Sequence, residues 1–329
     1  MTEKPLIRIK NLNVEFPLGR TFFGKPPMLR AVNDVSLDIM PGQFFGLVGE
    51  SGSGKTTLGR AILRAVAISS GKITFDDAEV CYDVGSLLKK DLKNYRKLSQ
   101  LIFQDPYAAL SPRMTVRDII AEPLEVMGLT QTREETDKRV RDIAVKCRLN
   151  LEHLRRFPHA FSGGQRQRIS IARSLVCNPD FVVADESVAA LDVSIQADIL
   201  NLLQSLQDEM GLTFLFISHD LSVVAHICDH VAVMYLGTLV ESAPTRKLFA
   251  NPSHPYTKAL LSAIPSLDPN ERTKVQKLEG EIPSPVNPPP GCRFHTRCPL
   301  AEDRCRTEVP EWRELSDGHS VACHFAEKV

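Results

Sequence analysis

The sequence predicts an α/β protein whose core is a mostly parallel β-sheet with helices on both faces. Short apolar runs that are typical of buried strands occur at residues 44–49, 181–185 and 213–218. Helical periodicity follows the first run, and a second helical stretch at about 194–208 separates the other two. This alternation of strand and helix is typical of a parallel sheet with crossover helices.

The remaining elements complete this outline in chain order. Residues 7–16 and 35–39 alternate apolar and polar side chains, which predicts two half-buried strands. A helix starting at Thr56 is expected to carry an apolar face of Leu58, Ala61, Ile62, Ala65 and Val66. The stretch of about 93–178 is predicted to be mostly helical and polar, interrupted by four prolines, and 231–236 to form a further strand. Seven prolines from Pro265 to Pro290 predict an extended linker.

Composition limits the classes of partner. Lysine plus arginine and aspartate plus glutamate both number 40, so we expect no nucleic-acid partner, which would require a basic surface. No run of eighteen apolar residues is present, and the first ten residues lack the apolar segment of a secretory signal. We therefore expect a cytoplasmic protein that reaches a membrane only through a partner.

The first chemical motif is a glycine-rich loop, GESGSGKT, at Gly49–Thr56. It matches G-x-x-x-x-G-K-[ST] and lies between a buried strand and a helix, as that motif requires. Its glycines let backbone N–H groups surround a β-phosphate, Lys55 places a charge on the β- and γ-phosphate oxygens, and the Thr56 hydroxyl binds Mg²⁺. The residues assigned to the nucleotide are Gly49, Ser51, Gly52, Ser53, Gly54, Lys55, Thr56 and Thr57.

Polar side chains at the ends of other apolar runs predict the hydrolytic groups. Asp185 and Glu186 end the run FVVADE, at the edge where open α/β sheets carry their sites. We assign Asp185 to Mg²⁺ and Glu186 to the attacking water. His219 is expected to end the next strand and contact the γ-phosphate, and Gln104 is expected to contact both Mg²⁺ and the water. Each of these residues alone has an ordinary structural explanation; beside the phosphate-binding loop they predict nucleotide hydrolysis.

A second anion-binding helix start is predicted at HAFSGGQRQRIS, residues 159–170. Ser162 can cap the helix and Gln165 completes a capping box. Gly163 and Gly164 lie where the free N–H groups of the first turn can hold an anion. A capped helix alone does not explain two adjacent glycines, because each costs about 1 kcal/mol of helix propensity.

Together these motifs resemble the ATP-binding cassette (ABC) ATPases over about residues 5–250: the phosphate-binding loop, Gln104, the signature FSGGQ, the acid pair, Asp192 and His219 occur in the family's order. The resemblance implies a P-loop NTPase fold at 1–250, with an antiparallel β subdomain and a helical subdomain at about 93–178. It also implies ATP and Mg²⁺ as ligands, with Phe16 stacking on adenine and Phe22 and Phe23 as alternatives. In this family two cassettes pack head to tail, so the residues implied to serve a partner's nucleotide are Ser162, Gly163, Gly164, Gln165 and Asp192.

Four of the eight cysteines crowd near the C-terminus, at Cys292, Cys298, Cys305 and Cys323. A cytoplasmic location argues against disulfides. The wide spacing lacks the C-x₂-C knuckle of zinc sites and favours a [4Fe–4S] cluster, with zinc as the alternative. The remaining cysteines, at 81, 147, 177 and 228, are expected to be small core residues.

The C-terminal region also carries a second resemblance. HPYTKALLSAIP (254–265) and the proline- and cysteine-rich stretch after it resemble the extension of oligopeptide/dipeptide importer ATPases. This implies a helix and linker at 251–291, and a [4Fe–4S] extension at 292–329 that uses the four cysteines. It further implies an ATPase subunit at the cytoplasmic face of the inner membrane that energises uptake of peptides or a related solute.

The implied partners are two permease subunits, a second ABC ATPase and, indirectly, a solute-binding protein. A heterodimer of ATPases is expected, with a homodimer as the alternative. The alternative function is a soluble ABC ATPase of DNA repair, ribosomes or iron–sulfur assembly. The single cassette, the lack of sustained heptads and the cysteine-rich extension favour transport.

Overall fold

The computed structural model describes residues 4–19, 26–189, 191–264, 278 and 280–329. The chain divides into two compact units. The first contains 1–4, 40–43 and 86–217, and the second contains 5–39, 44–85 and 218–329.

The described elements alternate between strands and helices along most of the chain. The strands are β1 (Ile7–Pro17), β2 (Met28–Ile39), β3 (Phe44–Val48), β4 (Ser70–Asp76), β5 (Cys81–Asp83), β6 (Ser99–Ile102), β7 (Phe181–Asp185), β8 (Thr213–Ile217), β9 (His230–Tyr235), β10 (Thr238–Pro244), β11 (Arg313–Ser316) and β12 (His319–Val321). The helices are α1 (Lys55–Ile62), α2 (Lys89–Leu98), α3 (Pro106–Ala109), α4 (Val116–Met127), α5 (Arg133–Lys146), α6 (Gly163–Leu175), α7 (Val193–Met210), α8 (Leu221–Ile227), α9 (Thr245–Ala250), α10 (Pro255–Ser262) and α11 (Asp303–Thr307).

The first unit combines three parallel strands with most of the longer helices. β7 pairs with β6 on one side and with β8 on the other, in both cases parallel. All five residues of β7 and all five of β8 are buried, as expected for strands covered on both faces. The carboxyl ends of β6 and β7 therefore lie side by side, with Ile102 opposite Ala184.

The second unit contains an antiparallel sheet in the order β2-β1-β4-β5. Ile7, Ile9, Leu12 and Val14 of β1 are buried, so this strand supplies much of that sheet's core face. A second group of strands runs β3, β9, β10, β12, β11, with β3 and β9 parallel and the rest antiparallel.

The C-terminal residues join the second unit through a buried hydrogen bond between a histidine and a carboxylate. Glu241 on β10 is 0% exposed, and its carboxylate accepts a hydrogen bond from Nε2 of His319 at 2.8 Å. The same carboxylate accepts the backbone N–H groups of Ser253 and His254 at 2.6 and 3.0 Å. These bonds satisfy a buried charge that would otherwise be costly.

The predicted α/β class with a parallel core is confirmed, and several details differ. Helix α1 ends at Ile62 because Arg64 has a left-handed backbone (φ +53°), so Ala65 lies beyond the helix and is exposed. The stretch predicted as helical includes strand β6, and the apolar patterns of the sequence do not predict β4, β5, β10, β11 or β12. Much of the predicted proline-rich linker lies outside the described residues. In the part of the chain that the structure describes, every helix is too short or too polar to cross a bilayer.

Candidate functional site

The glycine-rich loop of the second unit connects β3 to α1 with a backbone that requires glycine. Gly49 has φ +148°, and a Cβ there would lie 2.2 Å from the carbonyl oxygen of Met234. Gly54 has φ +106°, and its Cβ would lie 2.1 Å from the carbonyl oxygen of Ala31. Gly54 is also the N-cap of α1 and has no side chain to cap it. The loop therefore presents a helix start of the kind that binds phosphate.

Lys55 is held inside this loop. It is 5% exposed, and its Nζ donates to the carbonyl oxygens of Gly49 at 2.7 Å and Glu50 at 3.0 Å, and to the hydroxyl of Ser53 at 3.4 Å. A buried ammonium fixed by backbone carbonyls is positioned rather than mobile. The other residues that the sequence assigns to this loop lie around it: Ser51 and Gly52 are exposed, and Thr56 and Thr57 are half-buried.

The acid pair and Gln104 come together in the first unit. Asp185 is the last residue of β7 and is 4% exposed. Glu186 follows with a left-handed backbone (φ +46°), and its carboxylate accepts a hydrogen bond from Nε2 of Gln104 at 2.7 Å. This contact arises because Gln104 and Glu186 follow the adjacent ends of β6 and β7. A left-handed non-glycine residue costs about 1–2 kcal/mol and is typical of functional sites.

His219 and Phe16 lie in the second unit. His219 is exposed and follows β8 by two residues, so the prediction that it ends the strand is wrong. Phe16 is half-buried near the end of β1, opposite Leu29 of β2. Phe16 is therefore not a fully buried core residue. Phe22 and Phe23 lie outside the described residues.

The signature segment begins helix α6 with the predicted capping box. The hydroxyl of Ser162 accepts the N–H of Gln165 at 3.5 Å, and the side chain of Gln165 accepts the N–H of Ser162 at 3.2 Å.

The two signature glycines differ in surroundings. A Cβ on Gly164 would lie 2.5 Å from Cγ2 of Ile195, whereas one on Gly163 would approach nothing closer than 3.7 Å. Packing alone therefore explains Gly164, and only Gly163 still needs another explanation. Asp192, also assigned to a partner's nucleotide, is the exposed N-cap of α7.

The four C-terminal cysteines belong to the second unit. The N–H of Cys292 donates to the carbonyl of Cys305 at 2.8 Å. Burial and, to a smaller extent, the charges of the other three thiols raise the pKa of the Cys292 thiol to about 12. Among the described residues, no group of three or more His, Cys, Asp or Glu side chains is arranged to hold a metal ion. Cys81 is exposed on β5, so its expected place in the core is wrong; the cysteines confirmed as buried are Cys147, Cys177 and Cys228.

The chain is similar to known proteins along almost its whole length. Residues 32–189 match the family described as ABC transporter, and residues 240–305 match the oligopeptide/dipeptide transporter C-terminal region. The chain is 51% identical over 323 residues to a putative peptide import ATP-binding protein of Brucella ovis, with 98% of both chains covered. It is 45% identical over 327 residues to the oligopeptide transport ATP-binding protein AppF of Bacillus subtilis, with 98% of both covered.

Solved structures of similar fold include ATP-binding cassettes. The dimeric post-hydrolysis structure of the cassette MJ0796, bound to ADP and phosphate, has a TM-score of 0.63 at 27% identity. That similarity covers 73% of this chain and 99% of MJ0796. CbiO1 of Clostridium perfringens, part of an ABC transporter complex, has a TM-score of 0.64 at 26% identity, with 75% and 92% covered.

Proposed function

Since this chain belongs to the family of ABC transporter ATP-binding proteins, we propose that it hydrolyses ATP to drive the import of peptides or a related solute. The similarity to peptide import proteins over 98% of the chain supports this class of solute. A non-transport ABC ATPase is the less favoured alternative, because the relatives named above and the matched C-terminal region belong to transport proteins.

The observation that carries the hydrolytic assignment is the 2.7 Å hydrogen bond from Gln104 to Glu186. In this proposal the Glu186 carboxylate orients and polarises a water for in-line attack on the γ-phosphorus. The amide holds that carboxylate in place, and catalysis of this type depends on such positioning and charge stabilisation. His219 supplies a donor to the γ-phosphate in this proposal.

The nucleotide and metal assignments follow from residue chemistry. Lys55 and the loop N–H groups bind the phosphates, and Phe16 stacks on adenine. Thr56, Gln104 and Asp185 offer the hydroxyl, amide and carboxylate oxygens that Mg²⁺ prefers. A Mg²⁺ held by these residues would supply positive charge to neutralise the phosphate oxygens.

The signature residues serve the nucleotide of a second cassette in this proposal. Ser162 and the N–H group of Gly163 form a helix-start anion site, and Gly164, Gln165 and Asp192 belong to the same contact surface. The second cassette is a different chain, which makes the pair a heterodimer. The assembly includes two permeases and reaches a solute-binding protein indirectly. The chain then lies peripherally at the cytoplasmic face of the membrane, with its cassette at 1–250, a linker segment at 251–291 and an extension at 292–329.

We further propose that Cys292, Cys298, Cys305 and Cys323 hold a [4Fe–4S] cluster rather than zinc. The wide spacing of the four cysteines supports this donor set, although the described side chains are not arranged around a metal ion in this structure. The four thiols that bind a [4Fe–4S] cluster are also farther from one another than four thiols that bind a single Zn²⁺, where each Zn–S distance is about 2.3 Å. A bound cluster would link four chain segments covalently. Anaerobic reconstitution should give four iron and four sulfide per chain; Cys298→Ser should abolish this and Cys81→Ser should not. Stoichiometric zinc instead would refute it.

The ATPase proposal is tested with the chain assembled with its permeases in lipid vesicles. Glu186→Gln should lower ATP turnover and solute uptake at least about 100-fold while MgATP still binds. The matched control is Glu152→Gln, an exposed carboxylate in the same unit, which should leave both rates unchanged. Unchanged turnover in the Glu186 variant would contradict the assignment, and turnover without solute uptake by the unaltered assembly would favour a non-transport function.

A further inference from the structure

One residue of the phosphate-binding loop is held by the C-terminal part of the second unit. The backbone N–H of Glu50 donates to the hydroxyl of Tyr256 at 2.9 Å. The carboxylate of Glu50 accepts two hydrogen bonds from Arg297, from Nη1 at 2.7 Å and from Nη2 at 3.1 Å. Tyr256 is the second residue of α10 and Arg297 lies between two of the four C-terminal cysteines, so both residues are outside the cassette motifs.

These contacts are built into a packed environment. The Arg297 side chain is 7% exposed and that of Glu50 is 26% exposed. The guanidinium lies 5.9 Å from the ring centre of Tyr235, and Phe294 packs 5.4 Å from the ring of Tyr256. Bidentate arginine–carboxylate pairs are stronger and more directional than ordinary hydrogen bonds. The pair therefore fixes both the position and the direction of the Glu50 side chain.

Glu50 is in turn connected to the groups that bind phosphate. Its carbonyl accepts the Nζ of Lys55 at 3.0 Å and the N–H of Ser53 at 3.2 Å. Residues that fix Glu50 therefore also restrict Lys55. Charge matters as well, because an unpaired carboxylate within the loop would repel a triphosphate, and the Arg297 guanidinium neutralises it.

We propose that Arg297 and Tyr256 are positioning residues for the nucleotide, which act by holding Glu50 and neutralising its charge. This inference rests on the proposed function, since it takes MgATP as the ligand. It gives the C-terminal extension a role in nucleotide binding in addition to any metal group that it carries.

The test is MgATP binding to the full-length chain, measured by calorimetry. Arg297→Met should weaken binding about tenfold, because it removes a charge-assisted bidentate pair and leaves the carboxylate unpaired. Arg297→Lys keeps the positive charge but loses the bidentate guanidinium, so its affinity for MgATP should lie between those of the unaltered chain and Arg297→Met. Tyr256→Phe should weaken binding about threefold.

The Glu50 variants separate positioning from general stability. Glu50→Gln, which leaves the extension unaltered, should weaken binding about threefold. The double variant Arg297→Met with Glu50→Gln should bind better than Arg297→Met alone, because it no longer contains an unpaired carboxylate. A merely structural role of Arg297 predicts no such rescue, and failure of the rescue would overturn the proposal even if Arg297→Met folds poorly.

Arg313→Met is the matched control, because it removes another ion pair of the extension, Arg313–Glu327 at 2.6 Å. It should bind MgATP like the unaltered chain. Equal weakening in Arg313→Met, or unchanged affinity in Arg297→Met, would overturn the inference and leave the proposed function standing. An unaltered chain that binds no MgATP would instead refute the proposed function.

Discussion

Replacing Gly164 by alanine places a methyl carbon 2.5 Å from Cγ2 of Ile195. Carbon atoms pack best at about 3.5–4.0 Å, so the two groups must separate by about 1 Å. Ile195 is β-branched and cannot easily rotate away in a helix. Overpacking of this kind costs about 1–3 kcal/mol, and alanine recovers up to about 1 kcal/mol through helix propensity. We expect a net loss of about 1–2 kcal/mol of unfolding free energy.

The assay is thermal unfolding, in which Gly164→Ala should lower the melting temperature by roughly 2 °C. Ile195→Ala in the same chain should recover part of that loss, with a coupling energy of about 1–2 kcal/mol in the double-mutant cycle. Gly163→Ala is the control: its methyl would meet Leu191 at an ordinary 3.7 Å, so it should not lower stability. A Gly164→Ala chain that melts at or above the unaltered one, or strictly additive effects, would refute the packing argument.

Two further predictions concern histidines of the second unit. Burial lowers the pKa of His254 to about 3 and that of His230 to about 4. The unfolded chain binds these protons near the ordinary value of about 6.5, so unfolding free energy should fall as pH drops from 6.5 towards 4. The slope of unfolding free energy against pH is about 1.4 kcal/mol per pH unit for each proton. His254→Asn keeps an N-cap acceptor and should make this slope smaller. An unchanged slope would contradict the assignment of the pH dependence to His254. His319→Ala should cost about 3 kcal/mol in urea unfolding, because the buried carboxylate of Glu241 loses a hydrogen-bond donor. His319→Gln should cost less, and equal losses would argue against this buried hydrogen bond.

The local parts of the site could be predicted from sequence. The residues of the phosphate-binding loop are contiguous, and its glycine requirement depends on backbone geometry within one turn. Gln104 and Glu186 were also identifiable, because each follows an apolar run and parallel strands end at the same edge. Their direct hydrogen bond was not predicted, since it depends on which strands are neighbours.

The contacts made by the C-terminal region could not be predicted in this way. Tyr256 and Arg297 reach Glu50 across 206 and 247 residues of chain, and no local pattern encodes that pairing. Strand β10 is not predicted from the sequence because it ends in Pro244 and contains a register shift. Both features weaken the alternation of apolar and polar side chains that indicates a strand. The interpretation of Gly164 changed for a similar reason, since its neighbour Ile195 lies on another helix.

The pairing of β12 with β10, which places Val321 opposite Glu241, has a consequence for aggregation. The C-terminal hairpin occupies backbone donors and acceptors of β10 that would otherwise form an open template for strand addition. The strand that it places outermost, β11, has only four residues and carries the opposite charges of Arg313 and Glu314, features that discourage pairing with another molecule. A chain truncated before this hairpin would therefore expose the unpaired edge of β10. Such a chain should self-associate even where the rest of its fold is intact.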